Sequence, residues 1–305
     1  MYCGGSSRSQ RFGLSWGCTM RHMQSVPWQV KIAAKMVLAR LPLSYHSWEK
    51  IGLFKQGGME RPAYAFNVFR RHFDAAGLKG KADGFVGLEL GPGDSVCSAL
   101  IAKTFGGSKT FLVDVEPCAT LELSIYRRME AHLRQLGMYP PNLDHCKTMD
   151  DVAKACGAEY LTEGLDSLRQ IPTASVDFVW SHAVLPYIRR DQFVPTLREL
   201  RRIQRPGGVA SHTIPIKDII GGKLNDLRFD AGIWESPIMA DSRFYTNRLR
   251  YQELLRLFRE AGFEPEVIRK TEWETLPTPR QKMAKEFAAL PEEDLKVSDF
   301  DVLLR

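Results

Sequence analysis

No apolar run in the chain approaches the ~20 residues that a membrane-spanning helix needs. Six cysteines (Cys3, Cys18, Cys97, Cys118, Cys146, Cys156) form no C-x-x-C pair and no regular framework. Reduced thiols and a cytoplasmic location are the expected account. Seven histidines include no H-x-x-x-H pair, so no metal site is expected. Charge of one sign never gathers. The net charge of +6 comes largely from scattered arginine pairs, Arg70-Arg71, Arg127-Arg128, Arg189-Arg190 and Arg201-Arg202, which suit solvated helix faces rather than a nucleic-acid groove. Internal repeats are absent. Residues 1–26 are rich in Gly, Ser and Arg and lack the apolar core of a secretion signal, so a loose tail is expected there.

What the chain does have is length, 305 residues, and a 44% hydrophobic composition, enough to bury one large core with a helical appendage. The organising stretch is Gly84-Phe85-Val86-Gly87-Leu88-Glu89-Leu90-Gly91-Pro92-Gly93-Asp94-Ser95, followed by the helical pattern Val96 to Ala102. Strand, glycine turn and helix in that order open a βαβ unit. Glycine lets the backbone turn sharply and approach a ligand, and the helix N-terminus adds free N–H groups. About twenty residues on, Thr110-Phe111-Leu112-Val113-Asp114 ends a second apolar run in an acid, where a ribose-binding carboxylate belongs. The third glycine of a dinucleotide fingerprint is missing; its position holds Val96.

The spacing Glu89-x-Gly91-x-Gly93-x-Ser95 resembles the first motif of class I S-adenosylmethionine-dependent methyltransferases, with Ser95 in place of a third glycine. Ser175-Val176-Asp177-Phe178-Val179-Trp180-Ser181 resembles that superfamily's fourth strand. Glu199 to Gly208, ending Pro206-Gly207-Gly208, resembles the helix and turn before its fifth. The resemblance runs from about Gly84 to Arg305 and implies a Rossmann-like methyltransferase fold. That is a doubly wound, mostly parallel seven-stranded α/β sheet closed by an antiparallel hairpin. Expected strands are Glu159–Thr162, Val176–Ser181, Gly208–Ile214, Phe263–Arg269 and Phe300–Leu304, with a helix from about Cys118 to Leu136. The cofactor-binding domain is expected over residues 81–305, with insertions near 138–157 and 216–246.

Before it, residues 27–80 are expected to form a helical cap. Val30, Ala34, Val37, Leu38 and Leu41 share one helical face, and a second helix starts at Pro62 with Ala65, Phe66, Phe69 and Phe73 inward. The two are expected to form a lid over the cofactor. Tyr45, Phe54 and Tyr64 are candidates to face a sulfonium, with plain core packing as the alternative for each.

The resemblance implies S-adenosyl-L-methionine as cofactor. Asp114 would accept from both ribose hydroxyls, or else be a strand-end acid at a turn. Gly91 and Gly93 would face the methionyl part. Glu89 would orient the loop or the cofactor amine, or be a partly buried acid bonded to backbone N–H groups. Gly164, Leu165 and Asp166 would supply the adenine side, and Ser181 belongs to the expected cofactor set.

On the acceptor side, many relatives carry Glu-His after the fourth strand. This chain has Ser181-His182-Ala183-Val184-Leu185-Pro186-Tyr187. Ser211-His212-Thr213-Ile214-Pro215-Ile216-Lys217-Asp218-Ile219 resembles a segment of bacterial relatives, many thought to act on sugars, with Pro215 and Ile219 where that segment has Asp and His. Several proton acceptors are therefore replaced. A positioned base contributes about 10²–10⁴-fold, whereas an α-amine with a pKa near 7.7–8.0 needs none. His182, His212 and Tyr187 remain as catalytic candidates. For His182 a backbone-bonded loop histidine is the alternative, and a structural role is the stronger expectation for His212.

The expected activity is methyl transfer to a small molecule, an amine or a sugar-like natural-product acceptor. The alternatives are an intramolecular cyclase forming azetidine-2-carboxylate and methylthioadenosine, as synthases of this fold do, and a binding protein without turnover. The expected partners are a small-molecule substrate and, as an oligomeric option, a second copy in a homodimer. A nucleic-acid substrate is disfavoured, since no Asn/Asp-Pro-Pro-Tyr-like motif for a flipped base is present.

Overall fold

The computed structural model describes residues 58–78, 84–219, 221–242 and 245–305. The expected tail, the first cap helix, Tyr45 and Phe54 lie outside them.

In chain order the elements are α1 (Pro62–Ala75), β1 (Val86–Leu90), α2 (Cys97–Thr104), β2 (Lys109–Val113), α3 (Leu123–Gln135), α4 (Met149–Ala155), β3 (Ala158–Leu161), α5 (Leu165–Gln170), β4 (Val176–His182), α6 (Arg190–Ile203) and β5 (Gln204–Pro215). Then come α7 (Ala231–Trp234), α8 (Pro237–Ala240), α9 (Tyr251–Glu260), β6 (Pro265–Glu272), α10 (Lys285–Ala288), α11 (Glu292–Leu295) and β7 (Val297–Leu304). The strands form one seven-stranded sheet in the order β3-β2-β1-β4-β5-β7-β6. The first five pair in parallel, and β7 runs antiparallel to both β5 and β6. This is the expected Rossmann-like methyltransferase sheet. Its chain reverses direction between β1 and β4, which places the ligand crevice at the carboxyl ends of those strands.

Alternation along the strands explains the two cores. Phe178 and Trp180 of β4 face α1, where the Phe69 ring meets them edge-on at 6.2 and 5.1 Å. Val179, between them, joins Leu88, Leu197, Phe258 and Phe300 on the opposite face. Helices α2, α3 and α4 add to the first face and α6 and α9 to the second.

The described part of the expected cap is helix α1. It packs on the sheet and on α2, burying Ala65, Phe66, Val68, Phe69 and Phe73, because a stripe this apolar needs a full layer to cover it. Only its N-terminal approach reaches the glycine turn, where the Gly58 amide donates to the Asp94 carboxylate (3.3 Å). One helix start changes: the helix expected from Cys118 begins instead at Leu123. The Cys118 and Ala119 amides donate to the Tyr160 hydroxyl (3.0 and 3.2 Å) and that of Thr120 to the Asp94 carbonyl (2.9 Å), which holds this stretch out of helical geometry. The insertions near 138–157 and 216–246 carry α4, with a Thr148/Asp151 capping box, and the short α7 and α8.

Candidate cofactor site and its acceptor side

The site starts at the turn after β1. Gly91 and Gly93 have φ of +73° and +70°, a left-handed backbone that side chains resist. The Gly91 amide donates to the Val113 carbonyl (2.8 Å), tying the turn to the end of β2. A Cβ on Gly91 would lie 2.4 Å from Val184 Cγ2. Val184 comes this close because Ala183 takes φ +60°, strain of the kind that collects at functional sites.

Asp114, next to β2, takes the Gly93 amide on Oδ2 (3.2 Å) and the Val115 amide on Oδ1 (2.7 Å). Burial pushes its carboxyl up to about 6, against the pull of those two amides. The Gly164 amide donates to the Asp114 carbonyl (2.8 Å), so the turns after β2 and β3 form one rim. Beside them opens a cleft of about 490 Å³, lined by Val115, Gly164, Leu165 and Asp166 on one side and by Asp191, Gln192 and Pro195 of α6 on the other. The sequence points to the first wall except Val115. The α6 wall carried no motif, and Val184, though within the stretch after the fourth strand, was not singled out.

Glu89 sits below this rim, 2% exposed, and accepts a short hydrogen bond from Ser98 of α2. Burial raises its pKa to about 7, against that bond. The expected alternative, a carboxylate held by backbone N–H groups, is replaced by a side-chain partner. Ser95, at the third glycine's place, accepts from the Cys97 amide (3.4 Å).

The acceptor-side candidates separate. His182 is the last residue of β4 rather than a loop residue. Its Nδ1 lies 2.9 Å from Arg71 Nη2, which also donates to Thr213 Oγ1 (3.1 Å). A guanidinium only donates, so Nδ1 accepts and the ring proton is on Nε2. Burial and then the Arg71 charge push His182 down to about 4, which removes it as an ordinary base. Ser181 and His212 point to the opposite face, where both are fully enclosed. The Ser181 hydroxyl and His212 Nδ1 pair at 2.7 Å, and burial takes His212 down to about 3. Each has the other as its partner within the fully buried part of the sheet. Tyr187 lies in a short turn after β4, 42% exposed. Tyr64, on α1, is half-buried, 6.3 Å from His182 between ring centres.

Sequence reasoning missed His72. It lies on the inward face of α1, 2% exposed, with Nδ1 2.8 Å from Ser211 Oγ. A histidine three residues after Phe69 on an apolar stripe was the available signal. Among the described residues no cluster of His, Cys, Asp and Glu is arranged to hold a metal, and no helix is long and apolar enough to cross a membrane.

Sheet order and rim together define an α/β domain of the Rossmann-like methyltransferase type. Residues 124–211, from α3 into β5, match the sequence model of a family described as a methyltransferase domain. Solved structures similar to the chain include an arsenic(III) S-adenosylmethionine methyltransferase from Chlamydomonas reinhardtii (16% identity, 78% of this chain and 72% of that chain, TM-score 0.43). Others are a SAM-dependent methyltransferase from Methanosarcina mazei (18% identity, 73% and 92%, TM-score 0.42) and an S-adenosylmethionine-dependent methyltransferase from Mesorhizobium loti (17% identity, 77% and 97%, TM-score 0.40). No curated protein matches the chain in sequence.

Proposed function

We propose that the chain is an S-adenosylmethionine-dependent methyltransferase acting on a small molecule whose nucleophile needs no strong protein base, an amine above all. The observation that carries this reading is the joined rim of Gly91, Gly93, Asp114 and Gly164 beside a cleft of about 490 Å³, within the range of small-molecule sites. When bound, the cofactor would supply an electrophilic carbon on a sulfonium.

The residues present fit that group. Asp114, a carboxylate raised by burial, gains from accepting hydroxyl donors. Val115, 77% exposed beside Gly164, offers an apolar contact for an adenine ring, with Leu165 and Asp166 further along the cleft wall. Gly91 and Gly93 permit close backbone approach, with Val184 covering the first. On the acceptor side His182 keeps its proton on Nε2 and its basicity low, so it presents a donor and takes up no proton near neutral pH. An oxygen nucleophile finds no ordinary base in His182 or His212, whereas an amine is already partly neutral.

The same observation is compatible with the azetidine-2-carboxylate-forming cyclase, whose nucleophile is the cofactor's own amine. Chromatography of the spent cofactor after incubation with S-adenosylmethionine decides. S-adenosylhomocysteine formed only with an added small amine is the expected result, and turnover of sugars but not amines would overturn the choice of nucleophile. Methylthioadenosine formed without any acceptor assigns the cyclase. Absence of S-adenosylhomocysteine binding by calorimetry would overturn both.

A further inference from the structure

Arg71 is one of several helix arginines, Arg127, Arg128, Arg198 and Arg201 among them, with no ion pair to a described residue, and it reaches the end of β4. Its neighbour Arg70 pairs with Asp74 at 3.4 Å, Arg202 with Glu199, Arg205 with Asp177, and Arg269 with both Asp299 and Asp301. Arg71 is exposed and has no carboxylate within ion-pair distance among the described residues. Its two hydrogen bonds leave from one nitrogen, Nη2, toward neutral partners, His182 and Thr213. Among the described residues nothing takes Nη1 or Nε, two donors of the planar fork that matches carboxylate and phosphate oxygens.

The groups around it are donors as well. His182 offers Nε2–H because Nδ1 is taken. Tyr64 meets His182 in a T-shaped contact, 6.3 Å between ring centres, and carries a hydroxyl. Behind it the Arg61 guanidinium lies 5.0 Å from the Tyr64 ring centre, also without a carboxylate partner among the described residues. Asp94 and Asp301 bear on Tyr64 and His182, and both are occupied, Asp94 by the Gly58 amide and Asp301 by Arg269 through both oxygens. Positive charge and hydrogen-bond donors therefore collect at the carboxyl end of β4, the strand that leads to Val184, with Asp301 behind Thr213 as the nearby acid.

We propose that Arg71, His182 and Tyr64, with Arg61 behind them, form a recognition site for an anionic group, a carboxylate or a phosphate, on the acceptor substrate. Its place in catalysis rests on the methyltransferase reading above; the binding of the anion does not. The site holds the acceptor by its charge and leaves the nucleophile to face the glycine turn.

The test uses the full chain with 15N-labelled histidine. Inorganic phosphate and acetate are titrated separately, with and without S-adenosylhomocysteine, while the imidazole signals of His182 are followed by NMR and assigned through His182→Gln. A saturable shift of those signals is expected, and Arg71→Met weakens the binding about tenfold or more. A response to phosphate alone assigns a phosphate-bearing acceptor, and a response to acetate a carboxylate. No saturable shift with either anion overturns the proposal in the wild type, and so does equal binding to Arg71→Met. Should Arg71→Met fail to fold, Arg61→Met, at an exposed position, serves in its place with weaker binding expected. Calorimetry with S-adenosylhomocysteine separates the two readings. Anion binding without it sinks the cofactor assignment alone, and cofactor binding without an anion response sinks this site alone.

Discussion

Replacing Gly91 by alanine tests the centre of the site. Two penalties add. Alanine at φ +73° costs about 1–2 kcal/mol against the left-handed backbone. Its Cβ would stand 2.4, 3.0 and 3.3 Å from Val184 Cγ2, Cγ1 and Cβ, contacts that force Val184 to move, at about 1–3 kcal/mol for overpacking. The sum, about 2–5 kcal/mol, is a large part of the ~5–15 kcal/mol that holds a domain together. In a chain of this size it lowers Tm by about 3–8 °C. Val184→Ala removes the colliding methyls, so the double variant should recover the overpacking part and keep the backbone part. A double-mutant cycle read by urea unfolding should then show a favourable coupling of about 1–3 kcal/mol. Additive losses would refute the contact between the two turns. A Gly91→Ala chain as stable as the wild type would refute the geometry of the turn itself.

Asp114→Asn leaves one acceptor oxygen for two backbone amides and removes the charge offered to hydroxyl donors. S-adenosylhomocysteine affinity should fall about 10–100-fold by calorimetry, and an unchanged Kd removes Asp114 from the site. Glu89 has its folded pKa raised from 4.5 to about 7. Its contribution is thus fully present below about pH 4.5 and lost as pH rises through 7, about 2–3 kcal/mol in all. Glu89→Gln should therefore compare better with the wild type at pH 8 than at pH 5 in urea midpoints, and a pH-independent difference contradicts the buried, protonated acid. Ser181→Ala strands His212 Nδ1 inside the sheet and should cost about 1–3 kcal/mol of stability; lost cofactor affinity at full stability would place Ser181 in the site instead. Phe69→Ala, at a fully buried ring facing Phe73, Phe105 and Trp180, should cost about 3–5 kcal/mol.

The fold was legible because strands, glycine turns and helices alternate with periods that a sequence displays directly. The runs ending at Leu90 and Val113 and the Gly91-Pro92-Gly93 turn sit on the expected elements, whereas Pro206-Gly207-Gly208, expected as the turn before the fifth strand, lies within β5, which starts at Gln204. Strand ends were less legible. β7 starts at Val297, not Phe300, and β4 continues through His182, since pairing with a neighbour extends a strand past its apolar core. Side-chain partners across the sheet were not legible at all. That Ser181 meets His212, and His72 meets Ser211, depends on register between distant segments, which no local pattern encodes. For the same reason the sequence suggested a base at His182, where Arg71, 111 residues away, turns the ring into a donor. The aromatic stripe of α1 was legible as the inward face of a helix, but not that Phe178 and Trp180 oppose it.

Strand β7 has a consequence for how the molecule is assembled. It fills the slot between β5 and β6, yet the ribosome makes it after both. Until residues 297–304 emerge, β6 has no strand to join and the flank of β5 stays open to any extended peptide nearby. Synthesis therefore produces a parallel half that can fold early and a hairpin that zips in last, and nascent chains stalled before Val297 should be the ones that chaperones hold.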